Sequence, residues 1–253
     1  MNFMKLVQSI ESALFELCLW LLMWPKTLWQ TARRPAWVHD YVDQESAKGS
    51  DDQYDGYMSP ALFMAVSVLG WLLSLDLVDD TLLTSLSKAL GAKEASFDHK
   101  FGVLIGAAML LPMVFALVST RAEKLEMTRK SIHISFSKHA YTTAAFWGLL
   151  LVCGFAVLVL AVFLPETIAA SLAVIAPLAC MLWFCWAQCR LFADELKVSP
   201  FKGFRLAFFA GSMWLMIVML VLAVAFGATT EQSETGAGSD PATATETQTS
   251  PTP

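Results

Sequence analysis

Charge is scarce in this chain of 253 residues: Asp, Glu, Lys and Arg make up only 15% of it, against about 25% in soluble domains. An ordinary soluble enzyme is excluded on that ground. Basic charge is not in excess either. The net charge of −5 offers no field for phosphate, which excludes a nucleic-acid binder. Asparagine occurs once, as Asn2, so there is no N-glycosylation acceptor. Gly-rich nucleotide loops, zincin motifs, nucleophile elbows, lipidation boxes and internal repeats are all missing.

Apolar residues are what the chain has, 56% of it. They collect in unbroken blocks about as long as a helix needs to cross ~30 Å of hydrocarbon. Five such blocks predict five transmembrane helices. The first opens at Ser59-Pro60 and runs to Leu75, with Pro60 suited to a helix start. The others are Gly102–Ser119, Thr143–Leu164 (ending at Pro165), Ile168–Gln188 and Leu206–Gly227. None of them contains Lys, Arg, Glu or His. A charge at a helix centre costs about 3 kcal/mol on insertion, so clean blocks are informative. Because the blocks do not alternate, a β-barrel is excluded.

Residues 3–24 differ, for they contain Lys5, Glu11 and Glu16. Phe3, Leu6, Val7, Ile10, Leu14, Leu17 and Leu21 form one stripe at helical period. This predicts an amphipathic helix lying in the membrane surface; a sixth span tolerating Glu16 is the alternative. Trp24-Pro25-Lys26 follows where a signal peptide would need small residues, so a cleaved leader is not expected.

Basic residues on the connections set the orientation. Fourteen lie before the first span, between the second and third, and between the fourth and fifth; only three lie on the other side. Basic connections stay in the cytosol, so the N-terminus is expected inside and the C-terminus outside. The expected compartment is a bacterial inner membrane. Residues 1–57 read as a cytosolic or interfacial segment and linker, 58–227 as the membrane domain, and 228–253 as a disordered acidic tail poor in apolar residues. The outer loop 79–101 carries a short helix signal capped by Asp80.

Few constellations could carry chemistry. His133 and His139 lie six apart with Glu123 and Glu126 nearby, which is poor spacing for a metal site on a helix. They read as interfacial polar residues within 120–141, a basic segment expected along the inner surface against anionic lipid headgroups. His39 lies in Trp37-Val38-His39-Asp40-Tyr41, which reads as an interfacial anchor. Cys18, Cys153, Cys180, Cys185 and Cys189 all avoid the outer segments, so structural disulfides are not expected. Cys185 and Cys189 share a helix face and could take palmitate or a metal; the plainer reading is two small apolar residues. Pro112 and Pro177 sit near span centres, and broken helices mark substrate sites in some transporters. Ion-coupled transport also needs an intramembrane ionisable side chain, and the five blocks hold none. No catalytic, cofactor or metal site is assigned.

The segment before the first span reads Tyr54-Asp55-Gly56-Tyr57-Met58-Ser59-Pro60, and Phe136-Ser137-Lys138-His139-Ala140-Tyr141 precedes the third. With an amphipathic N-terminal segment and five close spans, this resembles the Yip (Ypt-interacting protein) family and its bacterial permease-like relatives. Ser59 stands where eukaryotic members place Gly before Pro, so the bacterial relatives are the closer match. The resemblance implies a five-span all-α fold. Taken with the missing catalytic motifs, it implies a non-enzymatic scaffold or partner-binding protein, with a homo-oligomer or protein partner. A channel or transporter component is the alternative.

Overall fold

A computed structural model of the chain describes residues 3–48, 53–78, 97–123 and 128–235. The described residues form helices and no strand. In chain order these are α1 (Phe3–Arg33), α2 (Trp37–Ser46), α3 (Pro60–Val78), α4 (Phe97–Ala122), α5 (Arg129–Ala161), α6 (Glu166–Glu195) and α7 (Pro200–Thr235). Residues 1–215 form one compact unit and 216–253 another; the core lies in the first. The helix signal at Asp80 lies outside the described residues.

Among the described residues, four helices are long and apolar enough to cross a membrane, over Ile105–Ala122, Lys130–Ala161, Glu166–Glu195 and Pro200–Leu220. α3 starts at Pro60, where the sequence predicts it, and its described apolar stretch, Pro60–Ser74, is shorter. α5 is the axis: α3, α4 and α6 pack against it, as do α1 and α2. Phe63, Met64, Val68 and Leu72 of α3 meet Ala108 of α4 and Tyr141, Ala144 and Ala145 of α5 in the core. Small residues on α5 let its neighbours come close: a methyl added at Gly148 would lie 2.9 Å from Leu28 of α1.

Outward, the protein exposes many large apolar side chains. Leu182 is 72% exposed, Leu178 59% and Phe155 65%. Soluble monomers do not leave an apolar surface this continuous open to water; lipid tails cover it without cost.

Several boundaries move from where apolar runs place them. α5 begins at Arg129 and not at Thr143, and α6 reaches Glu195 and not Gln188. A run of apolar residues marks where a helix can contact lipid, whereas backbone hydrogen bonding continues until something stops it. At α5 the start is set by Thr128, whose side chain accepts from the Ser131 N–H as an N-cap. α5 also ends at Ala161, before Pro165, which instead precedes the first turn of α6. α1 runs through Pro25 to Arg33 because tertiary contacts hold its second half: Thr27 and Thr31 are fully buried and Leu28 nearly so. α7 runs past Gly227 to Thr235, the last residue before Gly236. The rest of the tail, 236–253, lies outside the described residues.

Candidate functional site

The segment 54–60 ties four helices together. The Tyr54 N–H donates to Glu45 of α2 at 2.7 Å, and the Lys26 ammonium of α1 donates to the Gly56 carbonyl at 2.8 Å. The same ammonium lies 4.5 Å from the centre of the Tyr57 ring. The Met58 N–H donates to the Thr27 hydroxyl, and the Met58 carbonyl accepts from the Tyr141 hydroxyl of α5. Trp37 stacks on Tyr41 at 4.5 Å, and both rings meet Tyr57 and Tyr141. Val38 and Val42 are fully buried and Tyr41 nearly so. α2 is therefore not the surface anchor expected from its sequence: its aromatic face packs inward on the bundle, because Tyr54, Tyr57 and Tyr141 offer ring edges there.

Beside this hub lies a buried polar network. Lys138, His139 and Thr142 share the face of α5 that meets α6, where Gln188 and Glu195 stand two turns apart. The Gln188 amide N–H donates to the Thr142 hydroxyl at 2.8 Å, which turns its carbonyl oxygen toward His139 Nδ1, also at 2.8 Å. That arrangement places a hydrogen on Nδ1. His139 Nε2 has no hydrogen-bond partner and lies 3.7 Å from a Glu195 carboxylate oxygen. Ser119 of α4 donates to the same oxygen at 2.5 Å. The Lys138 ammonium lies 2.9 Å from Asp43 of α2 and 3.8 Å from Glu195. Four helices thus converge on one ammonium and one buried carboxylate.

Asp43, Glu123 and Glu195 face the single Lys138 charge. Burial, then the charge of Glu195, pushes the Glu123 carboxyl above the usual carboxylate range.

This corrects the expectation that no ionisable side chain lies inside the bundle. Lys138 is 5% exposed, His139 0% and the Glu195 side chain 3%. Lys138 and His139 do not lie against headgroups, since α2 and α4 cover them. His133 is exposed on another face of α5, so the two histidines are not brought together. Glu126 lies outside the described residues. Among the described residues, no three His, Cys, Asp or Glu side chains come close enough to share a metal ion. Cys185 is exposed, while the Cys189 thiol donates to the Pro200 carbonyl at 3.1 Å. Cys153 of α5 and Cys180 of α6 bring their sulfurs to 3.8 Å, a pair that no local spacing announces. Pro112 and Pro177 lie inside helices that continue through them.

Sequence reasoning missed Ser119, Gln188 and Glu195. The available signal was Gln188 and Glu195, seven residues and about two helical turns apart, on one face of a helix that continues past its apolar run.

No protein-family model, curated protein or solved structure matches the chain. Fold and surface together define the class: an integral membrane protein, helical throughout the described elements, with four helices among the described residues able to span.

Proposed function

We propose that the chain is a non-enzymatic five-span membrane protein of the bacterial inner membrane that works by binding a protein partner, with α1 as an interfacial amphipathic helix. One observation carries this reading: the ionisable residues of the interior are engaged with one another. Lys138 lies between Asp43 and Glu195, and Gln188 and Thr142 hold His139. Such a clamp fixes α2 against α4, α5 and α6, which keeps the surface around it rigid. α3 supplies the fifth span, and the basic connections put the clamped end in the cytosol with the C-terminus outside. The packed hub at Tyr54–Pro60 fits kinship with Yip-type proteins, for it gives that motif a structural task. Ala170 and Ala173 are exposed on one side of α6, leaving small residues there for a second copy. Affinity capture of the tagged full-length chain from gently solubilised membranes tests the reading. Stoichiometric recovery of a partner is expected, and recovery of the chain alone would overturn it.

A transporter or channel component is the second reading, favoured by Lys138, His139 and Glu195 in two helices of spanning length. Flux of ions or protons in liposomes loaded with the purified protein would support it; silence would remove it for the isolated chain.

A further inference from the structure

α7 is joined to α4 by the Trp214 indole N–H, which donates to the Ala107 carbonyl at 2.9 Å. Toward the other ends of these two helices a groove of about 890 Å³ opens between the end of α4 and the α6–α7 corner. Lys197, Lys202 and Arg205 line its mouth. Among the described residues none of these cations has an ion-pair partner. Leu206 and Phe209 line it further along α7. Glu195 also lines it, but that carboxylate is already engaged by Ser119 and Lys138.

We propose that this groove holds the headgroup phosphate of one anionic phospholipid, with an acyl chain lying along Leu206 and Phe209. Three arguments converge. The groove sits where the apolar stretches ending at Glu195 and beginning at Pro200 meet, which is the level of lipid headgroups whichever way the chain crosses. Its polarity changes along α7 from cations to apolar side chains, as a phospholipid changes from headgroup to tail. Lys197, moreover, adopts a left-handed backbone (φ 50°) just past the end of α6, where glycine is the unstrained choice. That turn, closed by the Val198 N–H donating to the Ala193 carbonyl, sets Lys197 at the α6–α7 corner with Lys202 and Arg205. Burial pushes the carboxyl of Glu123, also on the groove, above the usual carboxylate range.

The inference rests on the chain being embedded in lipid, and it stands whether partner binding or transport proves to be the function. Native mass spectrometry of the full-length protein in detergent, titrated with phosphatidylglycerol or phosphatidylcholine, tests it. One phosphatidylglycerol is expected to be retained in preference to phosphatidylcholine. K202Q/R205Q should weaken it about tenfold or more, whereas R33Q/R34Q, which removes the same charge from the end of α1, should not. K197G relieves the backbone, so it should fold at least as well as the parent while losing affinity a fewfold. Equal losses in both double variants, no preference between lipids, or unchanged affinity in K197G would overturn the proposal. Displacement of the lipid by millimolar inorganic phosphate would assign the groove to a soluble anion and overturn it too. A partner recovered by affinity capture together with an unselective groove would sink this inference alone.

Discussion

Lys138 and Glu195 show how differently one buried charge behaves with and without its partner. Removing one member of a buried pair leaves the other uncompensated, at about 3–5 kcal/mol. Lys138→Met should therefore destabilise the protein by that amount in thermal unfolding in detergent, while K138M/E195L should recover most of the loss. If the double variant is no better than the single, the two groups do not act as a pair. Glu45 makes a pH prediction. Burial alone would raise its pKa, but the Lys48 ammonium at 2.6 Å and the Tyr54 N–H outweigh burial and hold it below the ordinary 4.5. A carboxyl depressed in the folded state adds stability above its unfolded pKa and loses it as pH falls through the folded value. Glu45→Gln should thus cost about 1 kcal/mol at pH 7, since Lys48 is half-exposed and its pairing is screened. That gap should close as the pH drops below 4.5, measured by parallel melts of both proteins.

Packing between elements separates glycines that look alike in the sequence. A methyl on Gly203 of α7 would lie 2.6 Å from the Cys189 carbonyl oxygen and 3.1 Å from the Ala193 nitrogen, both backbone atoms of α6. Backbone cannot swing aside, so Gly203→Ala should separate the two helices and cost about 1–3 kcal/mol. At Gly70 the methyl would meet only the tip of Leu151, at 2.8 Å, which can rotate. Gly70→Ala should cost well under 1 kcal/mol, and equal losses in both variants would contradict this contrast. The α5–α6 register has its own check. With Cys18, Cys185 and Cys189 replaced by Ala, iodine oxidation of membranes should join Cys153 to Cys180 within one chain. Maleimide labelling after denaturation should then find both thiols blocked; two free thiols would mean that the helices pack in another register.

At the scale of the whole molecule, an apolar exterior surrounds an apolar core that holds one polar network, and lipid accounts for the exterior. The proposed crossing pattern places residue 253 outside and Lys5 inside. Alkaline phosphatase fused after residue 253 should be active and a fluorescent protein fused there dark; the opposite result would reverse the orientation.

The uncharged blocks by themselves determined that the chain is helical and belongs in lipid, because apolar runs of that length without alternation can satisfy their backbone there only as helices. The start of α3 at Pro60 and the aromatic motif at Tyr54–Tyr57 were legible for the same local reason: each depends on residues close in sequence. Tertiary structure decided everything that joins distant positions. His139 and Gln188 lie 49 positions apart, Ser119 and Glu195 76, and no periodicity within one helix shows that they meet. Nor could hydropathy show that α5 begins well before its apolar run, since a helix buried under α2 and α4 keeps its geometry while carrying Lys138 and His139. Burial by neighbouring elements turned residues that read as a wet surface into the polar interior of the protein.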